Sequence, residues 1–198
     1  EWYSPTQPFP TKPPPFDRQG IAIDDLIDFT PELRTEALEI ADRARFGPLF
    51  SPPVLRGAEK PYMQVPGAGG GANWQGAAVD VESGQLFVSS SSTLIVVEVI
   101  EYAPPATIGY FTDPWGVGMP GPQGLPLFKP PYKRVTALDL NTGDRTWMQP
   151  HGDGPRNHPE LANLNLPPLG GGGAAGERGT LSRSGRNCFC WNQHHGSP

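Results

Sequence analysis

Two neighbouring side chains with chemical potential lie in a glycine-rich segment at residues 69–76, which reads GGGANWQG. The amide of Asn73 can donate and accept hydrogen bonds, and Trp74 offers an indole ring and its N–H. Taken alone, the pair has a simpler interpretation, in which Asn73 closes a glycine-rich turn and Trp74 is a core residue. The sequence around them must decide between the two.

Other residues that could do chemistry have structural explanations. Asp24, Asp25 and Asp28 are close in sequence, but a charged loop in front of a helix accounts for them. His151 and His158 fit loop histidines better than ligands. We therefore predict no catalytic residue and no metal ligand in this chain.

The C-terminal end contains both cysteines of the chain, Cys188 and Cys190, followed by His194 and His195. A C-x-C pair without further spaced ligands indicates neither a disulfide framework nor a zinc site. We assign these residues no role.

Composition limits the class of protein. The chain has 198 residues, a formal charge of -5 and a pI of about 5.3, with scattered Lys and Arg. This excludes a basic surface for nucleic acid, so we expect no nucleic-acid partner. No apolar run reaches the roughly 20 residues of a membrane helix. With 26 Pro and 25 Gly but also 19 aromatic residues (five Trp, five Tyr and nine Phe), we expect a folded body with long loops.

The first part of the chain predicts an extended segment and then a helix. Residues 1–17 contain six prolines, which favour an extended run over a surface. This proline-rich opening, without an initiator Met, suits a segment of a longer protein. Thr30 as N-cap and Pro31 at the first helical position predict a helix over about residues 30–46, stopped by Gly47. Its apolar stripe is Leu33, Ala37, Ile40, Ala41 and Ala44.

The remainder predicts short strands. Residues 73–80, 85–90 and 93–101 form one set, and residues 134–139 and 144–148 form another. Between them, residues 103–131 are rich in Pro and Gly and too long for an ordinary hairpin loop, which predicts a functional or partner-facing excursion.

The two sets share a repeat. Ala78-x-Asp80-x-x-Ser83-Gly84 matches a copy that begins 59 residues later at Ala137 and continues to Trp147. Repeated strand-turn-strand units predict a propeller or a solenoid. The interval exceeds the usual 40–50 residues per blade, and the excursion accounts for the surplus.

The second copy, ALDLNTGDRTW at residues 137–147, resembles the A-x-D-x-x-T-G-x-x-x-W docking motif of dehydrogenases that depend on pyrroloquinoline quinone (PQQ). The first copy has Val88 at the position of the Trp. The segment around Asn73 and Trp74 resembles the G-G-x-N-W sequence that contacts the quinone in that family. Stretches up to about Gly170 are similar to the membrane-associated glucose, quinate and polyol dehydrogenases.

The resemblance implies an all-β fold: part of an eight-bladed quinoprotein β-propeller, with long Pro/Gly-rich loops and one inserted amphipathic helix. Residues 1–169 would form the partial propeller, with the helical insertion at about 30–46. At about 45 residues per blade, the chain would hold no more than about four blades. Residues 170–198 depart from the family, and we expect an aberrant, disordered tail that arises from an out-of-frame ending.

The resemblance also implies a function: oxidation of a sugar or polyol by hydride transfer to PQQ, with electrons passed to a quinone or cytochrome acceptor. Asn73 and Trp74 would contact the cofactor. In the family a calcium ion polarises the quinone and an Asp takes the substrate proton. Ligands for calcium and the catalytic base are expected outside this chain, so the isolated chain would be inactive.

The family's location predicts a periplasmic protein attached to the inner membrane through an N-terminal region missing here. Two alternatives remain at this point. One is a non-catalytic binding module derived from a propeller, and the other is a truncated product without function.

Overall fold

The computed structural model describes residues 6, 8–48, 50–67, 70–73, 76–105, 107–112 and 119–171, together with the backbone of 179–183 and 189–193. The described part is mostly strands in antiparallel sheets, with one α-helix, α1 (Pro31–Ala41). The strands in chain order are β1 (Val54–Leu55), β2 (Tyr62–Gln64), β3 (Ala77–Asp80), β4 (Gln85–Ser91), β5 (Ile95–Glu101), β6 (Tyr110–Thr112), β7 (Lys133–Asp139), β8 (Arg145–Pro150), β9 (Gly179–Arg183) and β10 (Phe189–Gln193). The predicted all-β class with one helix is confirmed.

The helix begins where the sequence predicts. Thr30 is the N-cap, and its hydroxyl accepts a hydrogen bond from Leu33 N at 3.2 Å, while Pro31 occupies the first turn. The helix ends at Ala41, five residues before the predicted end. The chain turns away because Arg45 pairs with the next segment: Arg45 N donates to Pro61 O, and Arg45 O accepts from Met63 N, each at 2.7 Å.

The apolar stripe of the helix faces the main hydrophobic core, as predicted. This core joins the helix to the loops on either side of it and to the last part of the excursion, and its members are Ile21, Leu26, Ile27, Leu33, Ala37, Ile40, Ala41, Ala44, Met63, Val65, Leu125, Leu127, Phe128, Leu161 and Leu169. Residues 125–128 therefore belong to the core. The excursion serves packing here as well as connecting two strands.

Strands β3, β4, β7 and β8 form one antiparallel sheet in that order, which is the four-stranded arrangement of a propeller blade. The two copies of the repeat are its two hairpins, joined by the β4–β7 pairing from Gln85↔Asp139 to Ser91↔Lys133. They therefore lie within one blade. The interval of 59 residues is long because the chain leaves the blade after β4 and returns at β7.

A second sheet combines strands from before the blade with strands from the connection between β4 and β7. Strand β5 lies at its centre, parallel to β1 and antiparallel to β2 and β6. The sequence predicts β5 but not the three short strands around it, since two or three residues are too few to show an alternating pattern. A third, two-stranded sheet pairs β9 with β10.

The register of the blade corrects the alignment of the two repeats. Ala78 pairs with Phe87, and Ala137 pairs with Trp147. A β-bulge between Ala137 and Leu138 adds one residue to the second hairpin, so Phe87 and not Val88 is the structural equivalent of Trp147. The two aromatic rings meet across Ala137, with centroids 5.8 Å apart.

Both turns use the Asp and the Gly of the repeat, although the Asp accepts from a backbone N–H in one turn and from a hydroxyl in the other. Asp139 Oδ1 accepts from Asn141 N at 2.7 Å, and Gly143 has a φ of 72°. In the first hairpin Ser83 Oγ donates to Asp80 Oδ2 at 2.8 Å, and Gly84 has a φ of 67°. A side chain at either glycine would be strained, which explains the fixed Gly of the pattern.

Helix α1, at eleven residues, is too short to cross a bilayer, and the described part of the chain contains no other helix that could do so.

Candidate functional site

Asn73 lies in a loop at residues 70–73, immediately before the blade begins at β3. Its side chain is exposed. The loop occupies the end of the sheet where β4 stops and β7 starts, which is the end opposite the two glycine turns. Trp74, the other predicted cofactor contact, lies outside the described residues, so its predicted role stays a prediction.

Backbone hydrogen bonds tie this loop to the end of β4. Ser91 N donates to Gly71 O at 2.8 Å, and Gly67 N donates to Thr93 O at 2.9 Å. Gly76 N closes the loop by donating to Asn73 O at 3.0 Å. The exposed amide of Asn73 is thus carried on a backbone that the central strand holds in place.

Glycines shape the two sides of the loop differently. At Gly76, where φ is 68°, a Cβ would meet nothing within 4 Å. At Gly71 a Cβ would lie 2.2 Å from Asp17 Oδ2, well inside van der Waals contact. One side of the loop is therefore open, and the other packs its backbone directly on a carboxylate.

That carboxylate belongs to a buried polar cluster. Asp17 and Arg134 form an ion pair at 3.2 Å, and both side chains are only 6% exposed. Asp17 Oδ1 also accepts from Ser92 Oγ at 2.5 Å and from Arg18 N at 2.7 Å. Ser92 Oγ in turn accepts a short hydrogen bond from Arg134 Nη2. Burial lowers the pKa of Arg134, while the charge of Asp17 acts in the opposite direction.

Further cations and anions surround this cluster. Arg18 pairs with Asp25 and donates to Lys129 O at 3.0 Å. Burial raises the pKa of Tyr132 above its ordinary value, and Arg18 partly opposes this shift. The two arginines, Arg18 and Arg134, are balanced by the two carboxylates of Asp17 and Asp25, so this network has no net charge and its role is structural.

The three acids singled out earlier have separate surroundings. Asp25 is paired with Arg18, and Asp28 forms an ion pair with Lys129 at 2.6 Å. Asp24 is exposed in the 3-10 helical turn Ile23–Asp25. The structure supports the interpretation of a charged loop before a helix.

The two histidines in the described region occupy loops. His158 Nδ1 accepts from Glu160 N at 3.3 Å, which closes a turn. His151 is partly buried, and its pKa is lowered first by burial and then by the nearby charge of Lys133. Within residues 6–171, apart from the gaps given above, no group of three or more His, Cys, Asp and Glu side chains is placed to hold a metal ion.

A family model described as "PQQ: Glucose/ethanol/alcohol dehydrogenase, beta-propeller domain" matches residues 1–193. The chain belongs to this family. The match extends past Gly170, where the motifs we recognised end. Whether residues 170–198 are an aberrant tail stays a prediction.

Two curated relatives of this quinoprotein chain are similar to it at 25% identity over 190 residues. They are the glycerol dehydrogenase large subunits of Gluconobacter oxydans (strain 621H) and Gluconobacter thailandicus. In both cases 83% of this chain and 25% of the relative are covered. The chain therefore spans about a quarter of the length of the curated relatives it matches.

The described residues fit one edge of a quinone site. PQQ presents carbonyl and carboxylate oxygens, which an asparagine amide can reach with its N–H groups. The exposed Asn73 and the open space at Gly76 allow such a contact. Asp17 Oδ2, by contrast, is buried against Gly71 and faces the inside of the protein.

Sequence reasoning singled out Asn73, whose predicted cofactor contact stays a prediction, and it did not point to Asp17, Ser92 or Arg134. Asp17 ends the proline-rich segment, and Arg134 sits in a predicted strand, so nothing local linked them to residues 69–76. The available signal was Arg134 itself, a charged residue at the start of a predicted strand, because a buried charge requires a partner.

Proposed function

We propose that this chain forms part of a PQQ-dependent dehydrogenase that oxidises a sugar or polyol, and that Asn73 hydrogen-bonds the quinone. The observation that carries the proposal is the family match over residues 1–193, together with an exposed Asn73 on a loop fixed to the end of a blade. The names of the two relatives favour a polyol such as glycerol within the range of glucose, quinate and polyol substrates.

Bound PQQ would supply the two-electron oxidant that accepts a hydride from the substrate carbon. Asn73 would donate its amide N–H to a cofactor oxygen and so fix the orientation of the ring system. Trp74 would contribute its backbone N–H or its ring edge. The loop backbone would present these groups from the end of β4 without large movement, since Gly71 is held by both Ser91 N and Asp17.

Other parts of the proposed reaction belong to the rest of the enzyme. A calcium ion with ligands outside this chain would polarise the quinone, and a carboxylate from another blade would take the substrate proton. Electrons would pass to a quinone or cytochrome acceptor. We further propose a periplasmic location with attachment to the inner membrane, and an isolated chain that is inactive because its residues do not include these groups.

The first test is a PQQ titration of the full-length enzyme, followed by quenching of tryptophan fluorescence. Asn73→Ala should raise the dissociation constant about tenfold, the effect of losing one hydrogen bond of about 1.4 kcal/mol. Asn163→Ala, in the exposed turn Ala162–Leu164, is the matched control and should bind as the wild type does. Equal affinity of Asn73→Ala and wild type would remove Asn73 from the site.

A second measurement separates a dehydrogenase from a binding module. The full-length enzyme loaded with PQQ and calcium should reduce an artificial electron acceptor with glycerol, glucose or quinate. No turnover with any of these, in a protein that does bind PQQ, would argue for another substrate class. No PQQ binding at all would favour a non-catalytic propeller.

A further inference from the structure

We infer that Asp17 is a positioning residue for the loop at residues 70–73, held for that purpose by Ser92 and Arg134. Its importance for the cofactor rests on the proposed function, while its contact with the loop does not. Nothing in the resemblance to quinoproteins pointed to this residue.

The contact itself is unusually close. Asp17 Oδ2 would lie 2.2 Å from a Cβ on Gly71, and the Cβ and Cγ of Asp17 would each lie 2.8 Å from it. Gly71 therefore has no room for any side chain. Asp17 Oδ2 is buried and has no hydrogen-bond partner among the described residues, so it meets the loop by packing.

Asp17 can limit the position of the loop because its other carboxylate oxygen, Oδ1, is fixed by hydrogen bonds and an ion pair. Its Oδ1 receives hydrogen bonds from Ser92 Oγ and Arg18 N, and Arg134 faces it at 3.2 Å. Arg134 is fixed in turn by donating to Pro131 O at 2.7 Å. A carboxylate with a cation and two donors on one oxygen has little freedom to rotate away from Gly71.

The segment that carries Asp17 is anchored along the whole blade. We call residues 12–18 the strap. Lys12 pairs with Asp144 at 2.7 Å near the glycine turn, and Phe16 O accepts from Ser90 Oγ at 3.3 Å at the other end of the sheet. The strap thus links the turn end of the blade to the loop that carries Asn73.

The consequence is a direct steric coupling between positions 17 and 71. Gly71→Ala should push the loop away from β4 and weaken the hydrogen bond from Ser91 N to Gly71 O. Asp17→Ala removes the carboxylate oxygen and carbon that the new methyl group would strike, although the Cβ of residue 17 remains 2.8 Å away and Arg134 loses its anion. Gly71→Ala should therefore cost less in the Asp17→Ala background than in the wild type, whereas independent structural damage would add.

The first readout is amide hydrogen exchange without quinone, at Ser91 and at Gly67, Gly70 and Gly76, whose N–H groups are bonded in or beside the loop. Gly71→Ala should speed exchange there about tenfold, equivalent to about 1.4 kcal/mol of local stability. In the Asp17→Ala background the same substitution should speed exchange by a clearly smaller factor. Gly109→Ala is the matched control, because a Cβ there meets nothing within 4 Å and should leave exchange unchanged.

Two further variants keep the test decisive if Gly71→Ala fails to fold. Ser92→Ala removes the hydrogen bond from Ser92 Oγ to Asp17 and the one that Ser92 Oγ accepts from Arg134, and it should speed exchange of the same amides by a smaller factor than Gly71→Ala. Asp17→Asn keeps the shape of the side chain and should leave the loop closer to wild type than Asp17→Ala does. Equal exchange in all variants, or strictly additive acceleration in the double variant, overturns the inference.

PQQ titration of the same variants in the full-length enzyme separates this inference from the proposed function. Gly71→Ala should raise the dissociation constant about tenfold in the wild type and by a smaller factor in the Asp17→Ala background. Coupled exchange without any effect of Gly71→Ala or Asn73→Ala on PQQ binding would leave the positioning role standing and remove the cofactor role. If Asn73→Ala weakens PQQ binding but the effects of Asp17→Ala and Gly71→Ala on exchange are additive, the cofactor role stands and the positioning role is removed.

Discussion

The two faces of the β3-β4-β7-β8 sheet are built from the same strands but closed in opposite ways. One, the strap face, buries the polar residues Ser90, Arg134 and Thr136 beneath the strap. The other, the aromatic face, carries the cross-strand row Ala78, Phe87, Ala137 and Trp147. Trp147 there remains 38% exposed.

The difference shows which residue types a sheet face needs when it is covered by an extended segment and which it needs when it carries aromatic rings. A strap of extended chain brings polar groups that need partners: the hydroxyls of Ser90 and Thr136 donate to Phe16 O, and the guanidinium of Arg134 pairs with the carboxylate of Asp17. The aromatic face needs alternating small and large residues so that two rings can meet over an alanine. Period-two alternation in one strand satisfies both faces at once.

The largest loss of stability should come from removing the buried cation of the strap face. Arg134→Met leaves the Asp17 carboxylate buried without its cation, which should lower the free energy of unfolding by about 3–5 kcal/mol. Urea denaturation checks this. The double variant Asp17→Asn/Arg134→Met should be more stable than Arg134→Met alone, because the stranded charge is gone. A loss below about 1 kcal/mol would mean that water reaches the pair.

A smaller loss should follow from overfilling the aromatic face. Ala137 is fully buried between Phe87 and Trp147, and Ala137→Leu should push the rings apart at a cost of about 1–3 kcal/mol. Near-ultraviolet circular dichroism of Trp147 together with denaturation would record it. Ala78→Leu, in the same row but on an edge strand and only partly buried, is the control and should cost less. Equal costs at the two positions would contradict the proposed packing.

The smallest effect concerns the surface end of the strap. Hydrogen bonds from Lys12 and then Thr142 lower the pKa of Asp144 below its ordinary value of 3.8. A lowered pKa in the folded state means that the pair stabilises the protein above pH 3.8 and stops doing so as the pH falls through the lower folded value. Lys12→Met should therefore be slightly less stable than wild type at pH 7 and equal to it in strong acid, as measured by urea midpoints. A difference that persists in acid would point to packing of the strap and not to charge.

Much of the blade could be predicted from its own residues. Turns at Gly84 and Gly143 and the helix start at Thr30 depend on neighbours within three or four positions, and local sequence specifies such features. The helix end at Ala41 could not be predicted, because it depends on the pairing of Arg45 with residues 61–63. The same holds for the alignment of Phe87 with Trp147, since a single bulge shifts the register by one residue.

The candidate site divides in the same way. Asn73 could be proposed from the sequence because a short motif around it is distinctive. Its support could not be found, because Asp17, Gly71, Ser92 and Arg134 are brought together from four separate segments. No spacing rule connects residues that far apart.

The sequence by itself determined the class of fold, the turns at Gly84 and Gly143, the helix start and the family, since each of these depends on short patterns of residue type. Only the tertiary structure decided that both repeats share one blade, that the strap covers one of its faces, and that a buried carboxylate abuts the loop carrying Asn73. The physical reason is that register and burial arise from contacts between distant segments, whose energies depend on distances of a few ångströms that no local pattern encodes.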